Sequence, residues 1–412
     1  MTQTASATQS KAYTPDIAGP LHPIGTTGKY VNGLAFKPTD WGDDGMPIIR
    51  IQNLTDRTKP MNRTMRKVDP VYIVQPGDLL VSWSATLDAF IWDREPALLN
   101  QHIFKVIPDA DRVSKKYLYY SLRRAIAEML KSEHLHGSTM KHINRGPFLS
   151  HEIAIPPLNE QEVVVAEIEK QFSRLDEAVA NLKRVRANLK RYTASVYEES
   201  FRDEPNFTFG DLVAEGPQNG LYLPKERYGE GVPILRIDDY QTQWIRHIAD
   251  LRRVSATSEQ VKAWSLNEGD LIINRVNSVT HLGKCVIVPT WLAGAVFESN
   301  MMRIRLNDAV VPVYVEHYLA SRLGKSRLTQ NAKWAVNQAS INQGDVRATP
   351  IFVPEIQLQR KLVSDIDRRL SIVRRTDAQV DSNLRRAERM RQSILAAAFS
   401  QPSKRNHEEM AA

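Results

Sequence analysis

The stretch IAIPPLNEQEVVVAEIEKQF spans Ile153–Phe172, and IFVPEIQLQRKLVSDIDRRL spans Ile351–Leu370. Each passes from an apolar, strand-like triplet through proline to a glutamine, then into a helical pattern. Proline ends a strand or sits in the first turn of a helix, so Pro156–Pro157 and Pro354 mark the entry. Beyond the entry, apolar residues return every seven positions. In the first copy they are Ile168, Leu175, Leu182, Leu189 and Val196; in the second, Ile366, Val373, Val380, Ala387 and Ile394. Phe172 and Val179 supply the alternate seam positions, which then become Arg186 and Thr193. Leu370 and Leu384 supply them in the second copy, interrupted by Asp377 and Arg391. Five in-phase positions predict a coiled coil rather than an ordinary surface helix. A helix of about forty residues is roughly 60 Å long, and its apolar stripe needs a mate. The two copies are natural mates for each other. Parallel and antiparallel pairings are both topologically open, but a duplicated plan favours pseudo-twofold symmetry and so an antiparallel pair. Arg186, Asp377 and Arg391 then either pair across the seam, fixing register, or face partners.

The duplication extends through the chain. NGLAF (Asn32–Phe36) returns as NGLYL (Asn219–Leu223), and GMPIIRI (Gly45–Ile51) as GVPILRI (Gly231–Ile237). PGDLLVSW (Pro76–Trp83) returns as EGDLIINR (Glu268–Arg275), and NQHIFKV (Asn100–Val106) resembles SNMMRIR (Ser299–Arg305). KYLYYSL (Lys116–Leu122) matches VYVEHYL (Val313–Leu319) in pattern, and Ile-Asn recurs at Ile143–Asn144 and Ile341–Asn342. The order never changes, and the period is too long for a solenoid. Short apolar runs bounded by Gly, Pro and Asp read as strands. A helix is expected near Ser114–Lys131, N-capped by Ser114, with a counterpart near Val313–Leu328. The fold class is therefore α+β: two duplicated α+β units separated by two long helices forming an antiparallel coiled coil.

With 412 residues, 42% hydrophobic, the chain has material for two to three domains. Its net charge of +8 suits nucleic acid first and an anionic membrane surface second. The single cysteine, Cys285, allows neither an internal disulfide framework nor a CxxC metal site, which fits a reducing cytoplasm. Residues 1–19 lack the apolar run of a signal peptide and read, like residues 401–412, as a flexible tail. Nowhere do eighteen apolar residues run together, as a membrane span would need.

Catalytic patterns are missing. The sequence holds no GxxxxGK[ST], HExxH or GxSxG, no Asn-Pro-Pro-aromatic or Asp-Pro-Pro-Tyr string, and no carboxylate two residues before a lysine. His134, His136 and His142 lie near one another, as solvated or phosphate-contacting histidines more often than as metal ligands. No metal site is expected. This points to a binding protein.

Candidate DNA contacts fall in three paired stretches. The first carries Arg50, Asn53, Arg57, Lys59, Arg63, Arg66 and Lys67 against one aspartate, Asp56; its counterpart carries Arg236, Arg246, Arg252 and Arg253, diluted by Asp238, Asp239 and Asp250. After the Gly-Asp turn stand Ser82 and Trp83 in one copy, and Asn274, Arg275 and Asn277 in the other. Later come Lys141, His142, Asn144 and Arg145, facing Lys333, Asn337, Gln338 and Asn342. Cations neutralise phosphates; Arg, Asn and Gln also make bidentate contacts with base edges. Like frames with unlike polar groups are what two modules reading different sequences require.

These residues resemble the specificity subunit of type I restriction-modification enzymes. The resemblance rests on Ile155–Asp176, its echo from Val353 (PEIQLQ replacing PPLNEQ), and the pair GDLLVS and GDLIIN. It implies target recognition domains at 20–155 and 204–353, each reading half of a split, asymmetric site in double-stranded DNA. Residues 156–203 and 354–400 would be spacer helices that fix the gap and dock two methyltransferase subunits. Those partners would bind S-adenosylmethionine; two motor-nuclease subunits would use ATP and Mg. The chain itself would hold no cofactor and catalyse nothing. A methylation-only or fused-nuclease system would look alike from this chain, and a coiled-coil scaffold without nucleic acid is the alternative of another class. From Ile168 to Val196 a helix rises roughly 42 Å, against about 34 Å for one turn of B-DNA.

Overall fold

The computed structural model describes residues 19–131, 143–241, 244–278, 281–335 and 338–399. Lys141, His142 and Asn337, the histidines at 134 and 136, and nearly all of both tails lie outside the described residues. The chain forms two compact units, one of Met1–Asn181 with Asn383–Ala412, the other of Leu182–Ser382. Both long helices, Leu158–Ser200 and Ile356–Ala398, pass from one unit into the other. Each unit therefore contains a globular part, half of one long helix and the opposite half of the other.

In unit 1 a four-stranded antiparallel sheet runs in the order Gly28–Asn32, Ile103–Pro108, Leu79–Ser82, Asp88–Ile91. A second sheet runs Arg63–Thr64, Met46–Ile49, Ala97–Leu99, Ile73–Val74, with its two central strands parallel. Helix Lys115–Met129 lies on the first sheet, and Ser114 Oγ accepts its first-turn N–H from Tyr117 at 3.3 Å. The core gathers Leu79, Val81 and Phe104 from the sheet, Tyr117, Leu118 and Leu122 from that helix, Val164, Ile168 and Phe172 from the first long helix, and Leu395 and Ala398 from the second.

Unit 2 repeats the first sheet as Val213–Asn219, Met301–Leu306, Leu271–Asn274, Cys285–Ile287. Its second sheet is Arg253–Val254, Tyr228–Leu235, Val296–Phe297, again with one parallel pairing. The core joins Leu271, Ile273, Met302, Tyr314 and Tyr318 to Val196 and Tyr197 of the first long helix, Phe201 just past its end, and Ile366 and Leu370 of the second. The helix expected over Val313–Leu328 is in fact two, Pro312–Ala320 and Arg322–Leu328. Ser321 is extended between them, and its hydroxyl accepts from Gly324 N at 3.0 Å, so a serine N-cap restarts the chain in a new direction. Likewise Gly45–Ile51 is not strand throughout: the strand ends at Ile49, and Ile51 opens a short helix.

The repeated residues have repeated jobs. Gly33 and Gly220 of the two NGL triplets pass so close to the carbonyls of Asn100 and Glu298 that any Cβ would collide. Asp78 and Asp270 of the Gly-Asp turns each accept the N–H three residues earlier, from Gln75 and Asn267, at 2.8 Å. Each also holds a cation on the neighbouring strand, Lys105 at 2.8 Å and Arg305 at 3.1 Å. Ile143 N and Ile341 N donate to the carbonyls of Trp83 and Arg275, at 3.2 and 2.9 Å.

The glutamine of the opening stretch is a lock. Gln161 is fully buried; its Oε1 accepts from Ser114 N at 2.8 Å, and its Nε2 donates to the carbonyls of Arg112 and Pro156 at 2.9 and 2.8 Å. Gln359 does the same with Val311 N at 2.8 Å and the carbonyls of Ala309 and Pro354 at 3.1 and 2.7 Å. One amide thus ties the first turn of a long helix to the start of an earlier helix of its unit, Lys115–Met129 in unit 1 and Pro312–Ala320 in unit 2.

Within each unit the two long helices run antiparallel. In unit 2, Arg186 pairs with Asp377 at 2.8 Å and with Asp381, whereas Glu199, further along the first helix, pairs with Arg369, earlier in the second. In unit 1, Arg391 pairs with Asp176 and lies 5.0 Å from the Phe172 ring centre. The polar interruptions of the stripe thus meet across the helices. Ile168, Leu175, Val196, Ile366, Val380 and Ala387 are buried; Leu182, Leu189, Val373 and Ile394 are half-buried. A buried Leu or Ile contributes about 2 kcal/mol, an exposed ion pair about 0–1. Packing therefore holds the helices together, and the charges select their register.

His317, fully buried in helix Pro312–Ala320, stands 3.3 Å from Asp367. Burial disfavours the imidazolium more than Asp367 favours it, so its pKa lies below the ordinary value. The unfolded chain therefore takes up this proton first as pH falls. The histidine's contribution is complete above pH ~6.5 and is lost as pH drops below that. Between about pH 7.5 and 5.5 the wild-type melting temperature should fall more steeply than that of H317Q; parallel slopes would contradict this.

Candidate nucleic-acid interface

The basic stretches lie on the second sheet of each unit and the loops beside it. In unit 1, Arg50 donates to Asn62 Oδ1 at 3.2 Å and lies 5.2 Å from the Trp41 ring centre. Arg57 pairs with Asp93, and Arg63 with Glu95 at 3.0 Å. Arg66 donates to the Ala35 carbonyl at 3.2 Å and approaches Asp40 at 3.8 Å. Lys59, Lys67, Asn144 and Arg145 are exposed. Lys67 and Arg145 form no salt bridge among the described residues, whereas Lys59 lies near Asp56 and helps to hold its pKa below the ordinary value, after the hydrogen bonds from Thr58.

In unit 2, Arg236 pairs with Glu298 at 3.1 Å and Arg246 with Asp239 at 3.0 Å, while Arg253 donates to the Gly231 carbonyl at 2.7 Å. Asp239 is raised above the usual carboxylate range, first by burial and then by Asp238 beside it. Arg252, Lys333 and Gln338 are exposed. Arg275 is half-buried and donates to the Ser299 carbonyl at 3.0 Å; Asn277 lies on the strand Val276–Asn277.

Three expected contacts are corrected by their burial. Asn53 is 2% exposed, and its amide donates to the carbonyls of Lys59 and Pro60, each at 3.2 Å. It folds the basic loop back on itself and cannot reach a base. Ser82 is buried and donates to the Thr86 carbonyl. Asn274 is buried and accepts from the Tyr240 hydroxyl at 2.5 Å. Asn342, although exposed, is a helix cap that accepts from Asp345 N at 3.0 Å. Trp83 packs on the core, its ring 4.7 Å from His102 and 5.9 Å from Phe104. Sequence reasoning passed over the exposed aromatics Tyr222 and Trp334, 78% and 61% exposed. An aromatic side chain in a polar run was the available signal.

Each unit thus offers a few free cations beside cations already held by carboxylates, on a rigid shared frame. Among the described residues no cluster of His, Cys, Asp and Glu could hold a metal ion, and no helix is long and apolar enough to cross a membrane.

Residues 27–191 match the family described as the type I restriction modification DNA specificity domain. The specificity subunit of the EcoBI type I restriction enzyme from Escherichia coli is 23% identical over 89% of this chain and 82% of its own length. That of the EcoKI enzyme from Escherichia coli K12 is 22% identical over 92% of this chain and 88% of its own. Over most of its length the chain is similar to specificity subunits of type I restriction enzymes. Its fold agrees. A solved chain from a study of complex assembly and conformational transition in the type I R-M system superposes with a TM-score of 0.66 at 16% identity, covering 92% of this chain and 97% of that one.

Proposed function

We propose that each unit reads one half of a split, asymmetric site in double-stranded DNA, and that the paired long helices set the gap between the halves. The helices also dock two methyltransferase subunits that carry S-adenosylmethionine; two motor-nuclease subunits using ATP and Mg complete the complex in the cytoplasm. The chain contributes recognition and no catalysis. The reading is carried by one observation: two frames agree down to their buried glutamines, glycines and Gly-Asp turns, yet present different exposed polar groups. Lys59, Lys67 and Arg145 are exposed in unit 1, and Arg252, Lys333 and Gln338 in unit 2. Phosphate contacts position such a module, and base contacts specify its sequence. The test replaces residues 20–155 with the counterpart from a relative of different specificity, in the reconstituted complex. Methylation-site sequencing should show one half of the motif changed and the other kept; a change in both halves would contradict separate reading.

A further inference from the structure

We propose that Trp334 is an aromatic wedge that inserts at a base step of the half-site read by unit 2. This deepens the function proposed above and rests on it.

Trp334 lies on the strand Lys333–Ala335, opposite Ala339 on the strand Gln338–Ser340. The second strand pairs in turn with Val276–Asn277, which continues directly from the sheet strand Leu271–Asn274. Ala339 and Ile341 are buried, and Ile341 N donates to the Arg275 carbonyl at 2.9 Å. The backbone beneath the indole is therefore fixed to the core of unit 2, while the indole is 61% exposed. An exposed indole on an anchored strand suits insertion between bases, because little backbone ordering entropy is spent when it binds.

Charge identifies the occupant. Between Glu316 and Asp345 the chain carries Arg322, Lys325, Arg327 and Lys333 and no carboxylate. Lys333, the preceding residue of the strand, is exposed and projects from the opposite face of the strand. A cationic, carboxylate-free run of chain around an exposed aromatic suits a phosphate backbone whose bases offer a stacking face. The other exposed tryptophans of unit 2 are poorer candidates. Trp291 is covered by the His247 ring at 5.3 Å. Trp244 lies on a hairpin with Tyr240–Gln241, close in sequence to the exposed Asp238, whose carboxylate repels phosphate. Proteins that insert apolar side chains at a base step unstack it and bend the duplex, so the step's deformability becomes part of the recognised sequence.

The test uses the complex reconstituted with full-length chain, and duplexes carrying 2-aminopurine in the half-site that the domain exchange assigns to unit 2. Binding of wild type should raise 2-aminopurine fluorescence at one step. W334A should weaken binding roughly five- to a hundred-fold and abolish that rise, and W334F should retain most of both. Affinity and fluorescence unchanged in W334A would overturn the wedge while leaving the reading of the site intact. Impaired assembly with methyltransferase subunits, at unchanged DNA affinity, would place the indole in a protein contact and overturn it equally. A wild-type complex that does not distinguish its site from random duplex would overturn both the wedge and the function on which it rests.

Discussion

Removing Val179–Val185 from the first long helix together with Ser382–Glu388 from the second should move the two halves of the recognised site closer. These heptads lie between the charged layers, so Asp176–Arg391 and Arg186–Asp377–Asp381 all survive. Removing seven residues from both antiparallel helices keeps their facing stripes in phase, because a heptad is two turns of a coiled coil. The rod shortens by about 10 Å at 1.5 Å per residue, close to three base pairs at about 3.4 Å each. Methylation-site sequencing of the reconstituted variant should find a gap shortened by about three base pairs, with little modification at the original spacing. Removing the heptad from one helix alone should abolish modification, because the charged layers would then oppose apolar residues. Modification of the original spacing at wild-type efficiency by the double deletion would remove the helices from any measuring role.

Gln161→Leu should lower the melting temperature by roughly 6–12 °C. The substitution nearly conserves volume but leaves Ser114 N and the carbonyls of Arg112 and Pro156, which are part-buried or buried, without this partner. Each stranded group costs about 1–3 kcal/mol, and relaxation brings the total to about 3 kcal/mol. In a unit of some two hundred residues, 1 kcal/mol moves the midpoint by about 2–4 °C. Gln359→Leu should behave alike, because its three bonds are the same. Gln161→Glu should be no better, since a carboxylate accepts from Ser114 N but repels both carbonyls. Gln392→Leu on the exposed face of the second long helix should change the midpoint by less than about 2 °C. A similarly small effect for Gln161→Leu would show that the lock is dispensable.

Much of this fold was legible because it is written twice. The heptad stripe, the Gly-Asp turns and the NGL triplets are local signals, and repetition in one order separates them from chance. The position of the glutamine was visible in the sequence, but its role was not. Two of its three partners, Ser114 N and the Arg112 carbonyl, come from a different helix start, and no local pattern joins Gln161 to Arg112. The break at Ser321 carried a readable serine cap, which the apolar pattern on both sides outweighed. At the fifth heptad the fully buried residue is Leu395 rather than Ile394, as expected where a straight helix drifts about 20° per heptad against a seven-residue repeat.

The interface was less legible for an electrostatic reason. A run of Arg, Lys and Asn reads as a phosphate surface whether or not its members are already engaged. Arg57 and Arg63 are held by Asp93 and Glu95, which the fold brings from the loop between strands Asp88–Ile91 and Ala97–Leu99. Asn53 is consumed in closing its own loop. What remains free is smaller than the sequence suggested, and it includes an indole that charge counting passes over.

The most direct measurement is methylome sequencing of the source cell, with and without this gene. The account predicts one asymmetric motif of two short halves at a fixed gap, methylated in the wild type and unmethylated throughout the genome of the deletion strain. Restoring the chain should restore that motif, and restoring the double heptad deletion should restore it at the shorter gap. A methylation pattern untouched by loss of the gene would contradict the assignment of DNA reading to this chain.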